Sequence, residues 1–378
     1  MSIFGVEKFK WLDTVFSCPP VLPHQFGKLD MKNIIVLLLC ILLSSCNHDE
    51  GLLNGLFSQA EAISLDSIQT EFRVSGLIGD ICSNDSLVIV YNSGVENSYT
   101  MYNAATGRTL CHFGRIGHGN KEIPKGCVGE IIHKNYVVCK DAEKKLASFN
   151  LAYVLDTSIA DTVYSYNLDD AMLSRVLPVD SNIFLGLGTF QDRFHYVTFD
   201  VQGHVFDSAV KLYNVGDPQM NRAHRFLSSQ GVLARHPHRN RFVGITWRSG
   251  LIDFFSVDDR KIINIRSYSD ILPSWNVVDG NQVSSLDWTE QTINGFLDIT
   301  GNDDYVFSLY SEETMNMRPY KSKYVLVFDW DGHPVTLIEL PYFAEYISAN
   351  STTLYIVYDN QHDEQCIGAF SLDKLESK

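Results

Sequence analysis

The 378-residue chain is short of basic residues: 30 Lys+Arg stand against 45 Asp+Glu, a formal charge of −15 at pH 7. That shortage excludes a protein that grips nucleic acid by neutralising phosphates, and one that docks on anionic lipid through a basic patch. It also lacks a membrane-spanning run. The apolar stretch at 34–43, IIVLLLCILL, is ten residues long, where a spanning helix needs about 20. Eight cysteines (18, 40, 46, 82, 111, 127, 139 and 366) include no Cys-x-x-Cys pair, which excludes a zinc ribbon. No Gly-x-Ser-x-Gly elbow and no EF-hand loop of alternating acids occur, so neither a Ser-His-Asp hydrolase nor a calcium loop is indicated. Beyond about residue 60 there is almost no helical periodicity.

What is present begins at Met31. Met31-Lys32-Asn33 is a short basic segment, 34–43 is an apolar core of signal-peptide length, and Leu43-Ser44-Ser45-Cys46 follows. The small residues before Cys46 resemble the lipobox of bacterial lipoproteins. The resemblance implies cleavage before Cys46 and diacylglyceryl attachment to its thiol. The expected organisation is therefore 1–30 as a start-site artefact, 31–45 as signal peptide, 46–60 as tether and 61–378 as the folded body. Several acyl chains anchor far more firmly than one. The body is thus expected in the cell envelope, lipid-anchored to the outer membrane on its periplasmic face or at the cell surface.

The rest reads as a repeat of hairpins. An apolar run ends in an aromatic residue, a polar turn follows, and a second apolar run begins. Tyr102-Asn103, Phe149-Asn150, Phe199-Asp200, Phe255-Ser256, Phe328-Asp329 and Phe370-Ser371 are its six copies. The aromatic is expected to pack between layers. The Asn, Asp or Ser caps the turn, and Gly203 or Gly332 supplies the positive φ of a tight hairpin. A polar pair precedes the strand before each copy, as in Asp85-Ser86, Ser181-Asn182, Asp303-Asp304 and Asn350-Ser351. Six such units predict an all-β, six-bladed β-propeller. The isolated stretch SIQTEFRV (67–74) is predicted to add the outer strand of the last blade and close the ring, hiding its edges. The long interval before the fifth unit predicts an excursion at about 268–294, with a short helix.

Gly295-Phe296-Leu297-Asp298-Ile299, Asp303-Asp304-Tyr305 and Phe328-Asp329-Trp330-Asp331-Gly332-His333-Pro334 resemble the TolB-like six-bladed propeller lipoproteins of Bacteroidota. Gly114-Arg115-Ile116-Gly117-His118-Gly119-Asn120-Lys121-Glu122 is similar to that group's glycine linker, with Asn120 at the usual proline. The resemblance implies fold and envelope location, and brings no catalytic residues with it.

Candidate ligand-binding residues follow from charge and place. They are Arg115 and His118 in the glycine linker, Arg222, His224 and Arg225 in the one local basic cluster, and His236, Trp247 and Arg248. A metal site at His236-Pro237-His238 is not expected: neighbours two apart on an extended chain point oppositely, and the pair belongs to a solvent-exposed turn. No cofactor is expected. The leading reading is a binding or interaction module whose partner is an envelope protein, a glycan or a peptide. The alternative is a lactonase-like propeller hydrolase or lyase with a metal in the central channel.

Overall fold

The computed structural model describes residues 52–58, 60, 62–65, 68–74, 76–93, 96–117, 119, 121–123, 129–132, 135–140, 144–154, 160–269, 271–279, 284–318 and 320–376. The signal peptide, Cys46 and His118 lie outside them. The described body is built almost wholly of antiparallel meanders. β1 (Ile63–Ser64) and β2 (Thr70–Arg73) lead into a first four-stranded sheet, β3 (Leu77–Ser83), β4 (Leu87–Ser93), β5 (Asn97–Asn103) and β6 (Thr109–Arg115). The second holds β7 (Gly129–Ile132), β8 (Asn135–Lys140), β9 (Lys145–Asn150) and β10 (Thr162–Ser165). The third holds β11 (Ala171–Pro178), β12 (Ile183–Phe190), β13 (Phe194–Asp200) and β14 (Val205–Lys211). The fourth holds β15 (Gly231–Arg235), β16 (Arg241–Thr246), β17 (Leu251–Asp258) and β18 (Lys261–Ser269).

Next comes a two-stranded hairpin, β19 (Trp275–Asp279) and β20 (Ser284–Trp288). It occupies the predicted excursion. Among the described residues of that excursion there is strand and no helix: the Trp275–Trp288 pair sits opposite across the ladder, rings 5.7 Å apart, and two facing aromatics favour a hairpin. The last sheet has eight strands. Its continuous path runs from β21 (Ile293–Gly301) through β22 (Tyr305–Thr314), β23 (Ser322–Asp329), β24 (Pro334–Ala349) and β25 (Thr353–Asp359) to β26 (Gln365–Ser371), and then to β2. β24 has 16 residues; its first half pairs with β23 and its second half with β25. Ala344 pairs with both neighbours, and Pro341, which has no N–H to give a ladder, falls in the break between Glu339 and Ala344 on the β23 side. Thr70–Arg73 pairs antiparallel with Cys366–Ala369, and Ile63–Ser64 pairs parallel with Ile338–Glu339.

The sheets have a propeller arrangement. Their first strands meet in series, save that the second sheet reaches the third through its second strand: β3 contacts β7, β8 contacts β11, β11 contacts β15, β15 contacts β21, β21 contacts β24, and β24 contacts β3. The core is accordingly a set of apolar layers between neighbouring sheets rather than one mass. Tyr99, Phe113, Tyr136 and Phe149 fill the layer between the first two sheets; Phe72, Tyr102 and Tyr355 fill the layer where β2 lies. All six repeated aromatics, Tyr102, Phe149, Phe199, Phe255, Phe328 and Phe370, are at most 3% exposed. Full burial of such a side chain stabilises by about 1.5–3 kcal/mol.

Turn chemistry explains the regular spacing. In the hairpins after the inner strands, Asn84 Oδ1 accepts from Ser86 N and Leu87 N, Asp180 Oδ1 from Asn182 N and Ile183 N, Asn302 Oδ1 from Asp304 N and Tyr305 N, and Asn350 Oδ1 from Thr352 N and Thr353 N. At the aromatic turns, Asp200 and Asp329 repeat one device. Each accepts the backbone N–H of the histidine four residues on, and its second oxygen bonds that ring's Nδ1 at 2.9 and 2.8 Å. Gly332, at φ +79°, closes the second of these turns under Phe254, where a Cβ would come within 2.7 Å of the ring.

The N-terminal stretch expected as a tether is packed from Leu52 onward. α1 (Leu52–Leu56) and Phe57 lie on the sheets, with Leu52 and Phe57 each 3% exposed and Phe57 edge-on to Phe328 at 5.3 Å. Apolar side chains gain more from this burial than from solvation, so 52–57 belong to the folded body.

Candidate functional site

Three openings lie along the inner strands. β21 passes through all of them: Phe296 and Leu297 line a pocket at one end, Asp298 and Ile299 a narrow central cavity, and Gly301 and Asn302 a hollow at the other end.

The central cavity, about 30 Å³, is lined by Asp80, Glu130, Arg175 and Asp298. It has room for a water or two and no more. Three of these charges are aimed by one backbone device. The ladder slips between Ile78 and Asp80, between Leu173 and Arg175, and between Phe296 and Asp298. A bulge on an inner strand turns the next side chain off the regular alternation. Burial, partly offset by Arg175 at 3.9 Å, raises Asp80 to about 6. Burial, and then the charge of Asp80, raises Glu130 to about 8. Burial also pushes Asp298 well up, although it accepts the N–H groups of Ile299 (2.9 Å) and Ile347 (2.8 Å). Carboxyls so crowded around one guanidinium share protons rather than all ionising. Among the described residues no three His, Cys, Asp or Glu side chains are placed to hold a metal ion.

The end pocket, about 490 Å³, is lined by Trp247, Arg248, Phe296, Leu297, Tyr320, Lys321, Glu345 and Tyr346. Trp247 bridges to Gly295 and Phe296, and its Nε1 donates to Leu297 O at 3.1 Å. Gly295 must be glycine here: at φ +60° its Cβ would meet Ser249 N at 2.3 Å. Arg248 holds a left-handed backbone, φ +57°, and its guanidinium lies 3.9 Å from the Trp288 ring centroid and 5.1 Å from that of Tyr320. Tyr320 is also left-handed, φ +61°. Its loop is pinned by buried Asn294, which accepts from Tyr320 N and donates to Arg318 O. Non-glycine residues held at positive φ by such clamps concentrate at binding sites. Lys321 is bound to Glu345 at 3.0 Å and to Asp359 more closely still.

Of the residues singled out from the sequence, the fold unites Trp247 and Arg248. The others go elsewhere. Arg115 pairs with Glu122 at 3.6 Å, and Glu122 also accepts Gly119 N, so the glycine linker is a folded connector between sheets. Arg222 and Arg225, on α2 (Arg222–Ser228), face Asp192, and Arg222 also faces Asp170 at 3.5 Å. That basic cluster is neutralised by its neighbours. His224 is buried as part of a capping box with Asn221. His236, expected in solvent, is 2% exposed and lies 5.0 Å from the Trp330 ring, because its Nδ1 accepts His238 N and turns the imidazole inward. Trp288, Tyr320, Tyr346 and the axial Asp80, Glu130 and Arg175 were not singled out. The signal for the axial set was legible: a lone charge inside an apolar first strand, as in LIGDICS, GEII and AMLSRVLP.

No family model matches the chain, and no curated protein does. Solved structures with a similar course include a member of the DUF4221 family from Bacteroides vulgatus (12% identity, 81% of this chain and 96% of that one, TM-score 0.48). An exported protein from Bacteroides fragilis gives 11%, 83%, 94% and 0.46, and the Cps50 (Swd1) β-propeller domain from Myceliophteria thermophila 11%, 81%, 99% and 0.43.

Proposed function

We propose that this protein is a lipid-anchored envelope module that binds a partner or ligand through one mouth of a six-bladed propeller. The observation that carries the reading is the end pocket. It has the size of a small-molecule site, four aromatic residues among the eight that line it, and a cation held by stacking. Six blades follow if β24 is counted twice, once as the outer strand of the fifth blade and once as the inner strand of the sixth. The β2–β26 pairing then closes the ring, in keeping with the serial contacts of the inner strands. The TolB-like resemblance and the lipobox at Cys46 support the anchor and the envelope address. Metabolic labelling with an alkyne fatty acid is expected to mark the wild type and not Cys46→Ala. Crosslinking in the native envelope, followed by affinity capture, is expected to recover a saturable partner or glycan at the anchored protein. Turnover of an envelope substrate with no saturable partner would overturn the reading.

A further inference from the structure

Arg248 is the cation of the end pocket that no carboxylate of the described residues engages. Lys321, its neighbour there, is already engaged by Glu345 and Asp359. Among the described residues Arg248 has no carboxylate partner, and its buried Nε makes no hydrogen bond. The guanidinium stacks on Trp288, lies close to Tyr320 and hydrogen-bonds that residue's side chain; of its five N–H donors others remain for a ligand, since stacking uses only its faces.

We propose that this pocket binds an organic monocarboxylate, its carboxylate on Arg248 and its flat carbon face on Trp247, Leu297 and Tyr346. This rests on the binding-module reading above and names its ligand class. Three observations select the class. The guanidinium fork matches a carboxylate in two parallel bonds. Apart from the paired Lys321 and Glu345, the remaining wall is apolar or aromatic, which suits a pyranose face or an aryl ring. Glu345 in the wall and Asp298 one residue beyond Leu297 disfavour a dianion, and the chain's net charge of −15 adds to that repulsion. The carbon body is the open term: sugar acids and aryl acids share the chemistry.

The test uses full-length protein in detergent and reads tryptophan fluorescence, with Trp247 and Trp288 as reporters. The probes are glucuronate, galacturonate and benzoate, each against its neutral partner: glucose, galactose and benzyl alcohol. Saturable binding of one acid series, at least tenfold tighter than its neutral partner, is expected, and the series that binds identifies the carbon body. Arg248→Gln is expected to weaken that binding roughly tenfold to a hundredfold with melting unchanged. Arg248→Lys, which keeps charge but loses the fork, should recover only part. Acids and neutral partners binding alike, or no saturable binding of either acid series at millimolar concentration, overturns the assignment. Asn294→Ala, which frees the Tyr320 loop without touching the ligand, should weaken binding too; should Arg248→Gln fail to fold, its persistence at wild-type affinity would also count against the site. Capture of the same envelope partner by wild type and Arg248→Gln, with no acid bound by either, defeats this ligand class and leaves the broader reading standing.

Discussion

The central cavity and the end pocket are built from the same inner strands, one residue apart at Leu297 and Asp298, yet they handle charge in opposite ways. In the cavity, Asp80, Glu130 and Asp298 crowd around Arg175 in about 30 Å³, and burial keeps the carboxyls partly protonated. In the pocket, Arg248 stays charged on aromatic faces beside about 490 Å³ of open space. The cluster balances charge among its own members. The pocket leaves a stacked cation beside open space. The difference lies in what surrounds the charge rather than in how much charge there is.

The comparison breaks most severely at Gly295. Gly295→Ala would drive a Cβ into the Ser249 backbone in a left-handed conformation, at a cost of about 3 kcal/mol or more, and collapse the pocket. Denaturant midpoints at constant m would read it; a stable Gly295→Ala protein with an intact pocket would mean that Trp247 does not depend on this approach. Next is Asp298→Ala, which leaves the buried Ile347 N–H without its acceptor and should destabilise by about 1–3 kcal/mol. Asp298→Asn, which keeps an acceptor and drops the charge, should cost clearly less.

A smaller effect lies in pH. In the unfolded chain Glu130 ionises near its ordinary 4.5, and in the fold near 8. Between those values the folded protein holds a proton that the unfolded chain has released. Its contribution is therefore fully present below pH 4.5 and is lost as pH rises through 8. Glu130 is partly open to the hollow beyond, so solvent screening reduces the effect to on the order of 1 kcal/mol. Glu130→Gln should flatten the melting profile between pH 5 and 8; an unchanged slope would remove Glu130 from the account. Smallest of all is Arg248→Gln, which should leave stability within about 0.5 kcal/mol, since Arg248 lines an open pocket and pairs with no carboxylate of the described residues. A loss of several kcal/mol there would make Arg248 structural, and the contrast between the two regions would fail.

The hairpins were legible because their causes are local. Asn302 and Asn350 each hold the N–H groups two and three residues ahead, and Asp329 reaches only as far as His333. The layer aromatics, from Tyr102 to Phe370, follow from the same repeat. The candidate site was legible by half. Trp247 and Arg248 stood out as an aromatic and a cation after a strand. Trp288 lies on an excursion, Tyr320 on a loop and Tyr346 past a bulge in β24, and no spacing links them. The inward turn of His236 was invisible for a related reason: its cause, a bond from His238 N, is local, but the Trp330 ring that covers it comes from another sheet.

By itself, then, the sequence determined the strands, their turns, the buried aromatics and the signal-like segment ending at Cys46, since each depends on neighbours within a few residues. Only the tertiary structure decided which charges face each other. Arg222 and Arg225 were neutralised by Asp192, Asp80 met Arg175, and Arg248 was left beside open space. Coulomb and desolvation energies depend on distance and burial, and strands far apart in the chain acquire both only when the sheets pack around a common axis.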